Sequence, residues 1–326
     1  SQWEQIKSIT GGTVYSVAIN GDYVYAGTEN CGTYMSTDKG NNWFSTSMKA
    51  SNVYSFALNS TRIFAGRGGV GVNYSTNNGL NWNKIYDGSN VRSIINIYAD
   101  QGNIFCGTYR HGIVITNDNG VTWRQGWTAS TRITSMESLN GYLFVARQST
   151  HIPSSSMLKT SDNGLTWNTV TKPTTSKISY NLYKHNGNLL CMQSGKLYKS
   201  TNLGDSWIKY QAMFEDSTFY SLHSDKGILY CGTSTSSGKY YVRYSIDNGV
   251  TFNKLGDSLP AAVSVMSVKG NYLYAGVQDK GVWRINKSII TSENNETGII
   301  LVTFSLSQNY PNPFNPTTKI NFSLPK

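Results

Sequence analysis

Ser36-Thr37-Asp38-Lys39-Gly40-Asn41-Asn42-Trp43 is the stretch that decides the fold, because its pattern occurs six times along the chain. The pattern is Ser or Thr, any residue, Asp or Asn, any residue, Gly, two further residues and an aromatic residue. Successive copies start 39, 41, 44, 40 and 45 residues apart, the later ones at Ser75, Thr116, Thr160, Ser200 and Ser245. A period near 40 residues that carries several short strands is typical of the blades of a β-propeller.

Each repeat has the same order of predicted strands around this pattern. In the first repeat an alternating strand over residues 14–19 is followed by a turn over 20–22 and a second strand over 23–27 that ends in small residues. A third strand over 33–35 precedes the pattern, and a fourth begins at its aromatic residue. The ending of the second strand occurs seven times, which predicts seven blades: at Gly27, Gly66, Gly107, Ala146, Met192, Gly232 and Gly276.

The seventh repeat predicts how the ring closes. It stops after residues 281–285 without a fourth strand, whereas the N-terminal residues 3–6 resemble the fourth strand that starts at Trp82. We expect Trp3 and its neighbours to complete the last blade, which would leave no open sheet edge in the ring. The predicted fold is therefore an all-β, seven-bladed β-propeller over residues 1–287 that is closed by the N-terminal strand.

The repeated pattern itself is predicted to be a structural turn. An Asp or Asn side chain in its third position can accept backbone N–H groups of the same turn, and Gly in its fifth position tolerates positive φ. A calcium loop would need alternating carboxylates and a bidentate Glu further along, and these turns lack both. The six residues with this structural role are Asp38, Asn77, Asp118, Asp162, Asn202 and Asp247.

These turns resemble the Asp-box, or BNR, repeats of sialidases, sortilin-type receptors, xyloglucanases and the photosystem II assembly-factor propellers. The resemblance covers residues 1–287 and is specific for the fold, but it says little about function. In the propellers that it resembles, these turns lie on one face and the functional sites on the other. By strand alternation, the second face carries the loops after the second strands and the links between blades.

After the propeller the sequence changes character. Residues 288–303 are predicted to be a linker, and residues 304–326 a short extended tail whose prolines exclude a helix. The phrase Gln308-Asn309-Tyr310-Pro311-Asn312-Pro313-Phe314-Asn315-Pro316 resembles the opening of the C-terminal sorting domain of the bacterial type IX secretion system. We expect the tail to be a truncated start of that domain. The resemblance implies that the type IX machinery is a partner and that the bacterium secretes the protein or holds it at the outer cell surface.

Composition argues against several classes of partner and cofactor. The net charge of +10 comes from basic residues scattered singly through the repeats, so no nucleic-acid-binding cluster is predicted. No apolar run reaches the roughly 18 residues that would span a membrane. Three of the four cysteines take small-residue positions of the repeats, and the four histidines fall in different blades. Neither a metal site nor another cofactor is therefore predicted.

The predicted ligand site lies on the loop-rich face. Arg67 and Arg147 follow the second strands of blades two and four, and Arg110 lies in the same loop of blade three. Three guanidinium groups on one arc would bind a carboxylate or sulfate; the alternative is three unrelated, solvated arginines. Aromatic and polar side chains nearby suit a sugar or a peptide. The candidate ligand-binding residues are Arg67, Tyr109, Arg110, His111, Trp127, Arg147 and His151.

The sequence favours a binding module over an enzyme. The predicted protein is a secreted or cell-surface propeller without catalytic residues, which recognises an extracellular glycan or protein that carries an acidic group. One alternative is a glycoside hydrolase acting on an acidic polysaccharide. The arginines match one element of a sialidase site, but the Arg-Ile-Pro phrase is absent and those propellers normally have six blades. A structural component of a surface layer or sheath is the second alternative. The acids that remain available on the site face or an inner strand are Glu29, Asp87, Glu137, Glu215, Asp216 and Asp279.

Overall fold

The computed structural model describes residues 2–6, 9, 12–69, 71–86, 93–127, 131–149, 155–174, 180–193, 195–210, 217–288, 290, 305–306 and 322–323. The chain divides into two compact units, Ser1–Ile285 and Asn286–Lys326. In the first unit the described residues form seven four-stranded antiparallel sheets in a ring, which confirms the predicted all-β, seven-bladed β-propeller.

Each blade places its first strand nearest the centre of the ring. Blades one to three contain β2 (Val14–Asn20), β3 (Tyr23–Thr28), β4 (Gly32–Ser36) and β5 (Phe44–Ser45); β6 (Val53–Leu58), β7 (Ile63–Arg67), β8 (Gly71–Ser75) and β9 (Asn83–Tyr86); and β10 (Ile94–Asp100), β11 (Asn103–Thr108), β12 (Ile113–Thr116) and β13 (Arg124–Trp127). Blades four and five contain β14 (Thr131–Leu139), β15 (Tyr142–Ser149), β16 (Ser155–Thr160) and β17 (Asn168–Val170); and β18 (Asn181–His185), β19 (Asn188–Gln193), β20 (Lys196–Ser200) and β21 (Ile208–Lys209). Blades six and seven contain β22 (Ser217–Asp225), β23 (Ile228–Thr235), β24 (Tyr240–Ser245) and β25 (Asn253–Lys254); and β26 (Val263–Lys269), β27 (Tyr272–Val277), β28 (Gly281–Asn286) and the N-terminal strand β1 (Glu4–Gln5).

The burial of the strands follows from the ring. First strands of successive blades contact one another around the centre, and the last of these contacts joins β26 to β2. The second strands are covered by a neighbouring blade on each face, so β3 is buried, whereas the fourth strand β5 is exposed. The small residue near the end of a second strand makes room for the next blade, because a Cβ atom at Gly27 would lie 2.7 Å from the carbonyl oxygen of Val53.

The N-terminal strand completes the seventh blade, as predicted. Strand β1 pairs antiparallel with β28 and places Glu4 opposite Arg284. The indole Nε1 of Trp3 donates a hydrogen bond to the carbonyl oxygen of Leu255 in blade six at 3.1 Å. The Arg284 guanidinium donates to the Glu4 carboxylate at 3.0 Å. Strand pairing, a buried indole and a charge-assisted hydrogen bond therefore hold the ring closed.

The six signature turns (residues 36–43, 75–82, 116–123, 160–167, 200–207 and 245–252) share one set of hydrogen bonds. The Gly N–H of each turn donates to the hydroxyl of the first residue at 2.7–3.0 Å. The N–H of the seventh residue donates to the side chain of the third at 2.8–3.0 Å. The fourth residue has a φ of 53–59° and the Gly a φ of 77–92°. The accepting third residues are Asp38, Asn77, Asp118, Asp162, Asn202 and Asp247.

The antiparallel blades give the ring two different faces. The signature turns and the hairpins between first and second strands lie on one side, the turn face. The starts of the first strands and the ends of the second strands lie on the other side, the loop face. On the loop face, the pairing of β2 with β3 skips one residue between Val14 and Ser16, and the same β-bulge occurs in five further blades. The bulged residues are Tyr15, Tyr54, Ile95, Thr134, Tyr220 and Ser264.

Side chains at or beside the bulges bind several blades to the next one. Ser16 Oγ donates to the carbonyl oxygen of Val53 in blade two at 3.3 Å. In blade seven, Ser264 Oγ donates to the carbonyl oxygen of Val14 at 2.8 Å, so this hydrogen bonding also closes the ring. Equivalent bonds run from Asn96 to Ile133 at 2.8 Å and from Ser221 to Val263 at 2.7 Å.

The second unit is described at four residues of its tail. Strand β29 (Ser305–Leu306) pairs antiparallel with β30 (Phe322–Ser323), in agreement with the predicted short extended tail. The phrase over residues 308–316 lies outside the described residues. Within the described part of the whole chain, no helix is long and apolar enough to cross a membrane.

Candidate functional site

A cavity of about 310 Å³ opens on the loop face, where the first strands of blades one to four begin. We call it the loop-face pocket. Its position at the inner strands places it at one mouth of the central channel, where a ligand reaches residues from several blades at once. Its lining residues are Tyr15, Tyr54, Ser93, Ile95, Asn96, Tyr109, Arg132 and Thr134.

The β-bulges explain why this part of the ring forms a pocket. A bulge interrupts regular alternation and re-aims the side chain of the extra residue. The bulged residues of four consecutive blades, Tyr15, Tyr54, Ile95 and Thr134, all line the cavity. The β-bulges therefore supply four of the eight residues that line the pocket.

One side of the pocket is formed by two tyrosine rings, and acidic groups outside the lining act on one of them. The rings of Tyr15 and Tyr54 lie 5.0 Å apart between centroids at an angle of 42°. Burial, together with a hydrogen bond to Glu29 and the charges of Glu29 and Asp279, raises the pKa of Tyr15 to about 12. The Tyr15 hydroxyl therefore stays protonated at neutral pH and donates to the Glu29 carboxylate. Asp279 also accepts a hydrogen bond from Thr13 Oγ1 at 2.8 Å.

The other side of the pocket is cationic. Two arginines lie close to the Tyr109 ring: the guanidinium carbon of Arg132 is 5.2 Å and that of Arg110 is 5.7 Å from the ring centroid. Tyr109 is 42% exposed and Arg132 is also exposed, so both are accessible to a ligand. These cation–π contacts orient the ring and bring two positive charges to one edge of the cavity.

Arg67 is held within its own blade. Its Nε donates to Ser51 Oγ at 2.9 Å and its Nη1 donates to Asn73 Oδ1 at 3.2 Å. Partial burial lowers the pKa of this guanidinium. Two of its nitrogens are therefore already hydrogen-bonded to neutral partners, and the remaining nitrogen is the one left for a ligand.

Arg147 packs on an aromatic neighbour. Its guanidinium carbon lies 5.0 Å from the centroid of the Trp127 ring, and burial lowers the pKa of Arg147. Within the described part of the chain, Arg147 Nε and Trp127 Nε1 are buried and have no hydrogen-bond partner. His111 lies exposed in the loop of Arg110, and His151 lies outside the described residues.

The structure brings the predicted ligand-binding residues together in pairs. Tyr109 contacts Arg110, and Trp127 contacts Arg147, each through a cation–π interaction. The described contacts of Arg67 are with neither pair. A single arc of three guanidinium groups around one anion stays a prediction.

Sequence reasoning missed Tyr15, Tyr54 and Arg132. The first two follow a β-branched residue and precede a serine at the start of an inner strand, as in Val14-Tyr15-Ser16 and again in blade two. That repeated phrase marks the bulge and was the available signal. Arg132 occupies a first strand one residue before the buried Ile133, and nothing in the strand pattern distinguishes it as a site residue.

The acidic and metal-binding candidates are distributed unevenly. Glu29 and Asp279 both act on Tyr15 at the loop face, whereas Glu137 pairs with Lys184 at 3.5 Å near the turn face. Asp87, Glu215 and Asp216 lie outside the described residues.

Among described residues, no group of three or more His, Cys, Asp or Glu is placed to hold a metal ion. All four cysteines are free thiols, and burial raises the pKa of those at positions 106, 191 and 231.

Comparison with known proteins places the chain by its fold. No protein-family model matches the sequence, and a search of curated proteins finds no significant match. Among solved structures, YCF48 bound to a D1 peptide is 16% identical with a TM-score of 0.69, over 87% of this chain and 96% of the other. YCF48 from Cyanidioschyzon merolae is 11% identical with a TM-score of 0.70, over 88% and 100% of the two chains.

An enzyme is equally similar in fold. The GH74 xyloglucanase from Xanthomonas campestris is 15% identical with a TM-score of 0.68, and the match covers 88% of this chain and 54% of that enzyme. At such identities the similarity establishes a seven-bladed β-propeller and leaves the function to be argued from the site.

Proposed function

We propose that this protein is a binding propeller without catalytic function that holds its ligand at the loop-face pocket. The observation that carries the proposal is the clustering of Tyr15, Tyr54, Tyr109 and Arg132 around one cavity. Aromatic walls with a few directed polar groups are typical of sites for sugars and peptides. The bulged and loop positions that supply these residues vary among the blades, so the repeat itself does not require them.

The proposed ligand is an extracellular glycan or protein segment that carries an acidic group. Arg110 and Arg132 flank Tyr109 at the rim, and their guanidinium groups favour a carboxylate or a sulfate. Arg67, His111, Trp127, Arg147 and His151 belong to the same proposed loop-face surface. That YCF48 was solved with a bound peptide supports a peptide as one form of this ligand.

The test measures binding of the full chain by calorimetry. The probes are an oligogalacturonate, a short peptide with a free C-terminal carboxylate, and an uncharged glucose oligosaccharide. We expect at least one acidic probe to bind better than the uncharged one, with affinity falling as salt rises. Arg132→Ala should weaken that binding by about tenfold or more.

The matched control is Lys84→Ala, which removes a positive charge from the exposed fourth strand of blade two. It should leave binding unchanged. Equal binding by Arg132→Ala and the wild type, or the absence of binding by both acidic probes, would overturn the proposal.

We further propose that the signature turns are Asp boxes of the BNR type and that residues 304–326 begin a type IX sorting domain. The six identical turns support the first assignment, and the phrase from Gln308 to Pro316 supports the second. The protein would then act at the outer cell surface or in the medium. Expression in a bacterium with type IX secretion tests this: a chain in which residues 304–326 lead into a complete sorting domain should reach the surface or medium, and the same chain without residues 304–326 should stay inside the cell.

A glycoside hydrolase is the second candidate, because Glu29 and Asp279 both lie close enough to Tyr15 to raise its pKa. Glycoside hydrolysis needs two carboxylates at the bound sugar, and both of these act on Tyr15, which lines the loop-face pocket. The raised pKa of Tyr15 disfavours its ionisation, which argues against a tyrosine nucleophile. Release of reducing sugar from an acidic polysaccharide, abolished by Glu29→Gln, would establish the enzyme and replace the binding proposal.

A further inference from the structure

A second cavity, of about 420 Å³, opens on the turn face. Its lining comes mainly from blades three and four, including the signature turn of blade four, and one residue, Lys184, comes from blade five. Its lining includes two tyrosines and four polar or charged residues: Tyr98, Asp100, Ser138, Asn140, Tyr142 and Lys184. We call it the turn-face pocket. None of its lining residues belongs to the loop-face pocket.

The aromatic walls of this pocket are held in place by packing. The Tyr98 ring lies 6.1 Å from that of Phe105, and the Tyr142 ring lies 6.1 Å from that of Phe144. Lys159 places its ammonium group 5.4 Å from the Tyr142 ring centroid. Both tyrosines are half-buried and stand on regular strands or at their ends. A ligand would therefore meet preformed walls and would need little ordering of side chains.

The charges in the turn-face pocket do not favour an anion. The ammonium group of Lys184 lies 3.5 Å from the Glu137 carboxylate, so its charge is already compensated. Asp100 is an exposed carboxylate at the end of β10. The other polar groups of the lining are hydroxyls and amides. These carboxylate, hydroxyl and amide groups can accept hydrogen bonds from, and donate them to, a ligand that has many hydroxyl groups and no negative charge.

The repeat does not require Tyr98. Tyr98 pairs with Phe105 across the sheet. At the same register, blade one has Ala18 opposite Tyr25, and blade two has Ala57 opposite Phe64. Likewise Asp100 pairs with Asn103, where blade one has Asn20 opposite Tyr23. An alanine and an asparagine thus satisfy the scaffold at these two positions in other blades.

We propose that the turn-face pocket binds a neutral sugar unit of a glycan. Its C–H face would pack on the ring of Tyr98 or Tyr142, and its hydroxyls would donate to Asp100 and bind the amide of Asn140. A cavity of about 420 Å³ is large enough for one or two sugar rings. This site does not depend on the proposed function of the loop face, because the two pockets share no residue.

The experiment uses saturation-transfer NMR and titration on the full chain. The probes are the methyl glycosides of glucose, galactose, mannose, xylose and N-acetylglucosamine, with methyl glucuronide as the charged comparison. At least one neutral glycoside should bind, and more tightly than the glucuronide. Tyr98→Ala should weaken it by about tenfold and Asp100→Asn by about threefold.

Two controls keep the outcome decisive. Asp100→Asn changes an exposed group to the residue found in blade one, so it tests the site even if Tyr98→Ala fails to fold. Lys84→Ala, on the exposed fourth strand of blade two and outside the lining of both pockets, should leave binding of the neutral glycoside unchanged. The proposal is wrong if no neutral glycoside binds, if the glucuronide binds more tightly, or if both turn-face variants bind as the wild type does.

Discussion

The turn face and the loop face are built from opposite ends of the same strands, yet only the turn face repeats nearly the same side chains from blade to blade. On the turn face, six signature turns make the same hydrogen bonds with nearly the same backbone angles. On the loop face, the bulged position holds three tyrosines, an isoleucine, a threonine and a serine. The turns stabilise every blade in one way, and the bulges leave each blade free to present a different side chain.

The loop-face pocket and the turn-face pocket differ in charge for the same reason. At the loop face Arg110 and Arg132 approach one tyrosine ring, and their charges stay available. At the turn face Lys184 is compensated by Glu137, and Asp100 is exposed. A propeller can therefore carry two pockets of different character on its two faces, because side chains at the strand starts and strand ends vary independently.

The largest effect should come from removing the N-terminal strand. Deletion of residues 1–8 removes Trp3 and the pairing of β1 with β28, and it leaves an exposed sheet edge in blade seven. Loss of the buried indole alone costs about 3–5 kcal/mol. Denaturant unfolding should show a fall of at least that size. A chain without residues 1 and 2 is the control. If the chain without residues 1–8 unfolded cooperatively at the same denaturant midpoint as the wild type, closure of the ring by β1 would be contradicted.

The second prediction separates the two faces. Asp247→Ala removes the acceptor for the Thr251 N–H at 2.8 Å and for the Ser245 hydroxyl at 2.7 Å. Leaving these donors unpaired should lower the unfolding free energy by about 1–3 kcal/mol. Binding of an acidic ligand should not change, whereas Arg132→Ala should change binding and leave stability intact.

Asp247→Asn serves as the control, because Asn77 and Asn202 make the same turn. It should recover most of the lost stability. If Asp247→Ala instead weakened binding of the acidic ligand at unchanged stability, the site for that ligand would lie on the turn face and not at the loop-face pocket.

A third, smaller effect should appear in acid. Hydroxyl and backbone donors, first among them Thr116 for one turn and Thr166 for the other, lower the pKa of Asp118 and of Asp162 to about 2. The value in an unfolded chain is about 3.9. The ionised carboxylates therefore stabilise the fold above pH ~4, and this stabilisation is lost as the pH falls towards ~2. Thermal melts between these limits should show it.

The matching variant replaces both residues by asparagine, which does not titrate. Between pH ~4 and pH ~2 its melting temperature should fall less than that of the wild type. Equal losses in the two proteins would mean that the turn carboxylates do not contribute to acid sensitivity.

The faces also differ in how far they could be predicted from the sequence. Closure by Trp3 was predictable, because a missing fourth strand at one end matched an extra one at the other. The roles of Tyr15 and Tyr54 depend on a β-bulge, which alternation of apolar residues does not reveal. Arg67 was placed by repeat position, but its guanidinium bonds to Ser51, 16 residues earlier, and such a contact depends on packing that no local pattern encodes.

The smallest predicted effect lies within the turn face, at the one exposed lysine among the left-handed positions of the signature turns. Lys39 has a φ of 59°, and the equivalent residue is Asn in four of the other five turns. A left-handed backbone is costly for most side chains and less so for asparagine. Lys39→Asn should therefore raise the unfolding free energy by about 0.5 kcal/mol. The bond from the Tyr274 hydroxyl to the backbone carbonyl of residue 39 would be kept. Lys39→Gln removes the same charge without the asparagine preference, so an equal gain in unfolding free energy in that variant would assign the effect to charge. The reverse substitution, Asn119→Lys, should lower the unfolding free energy if backbone strain is the cause.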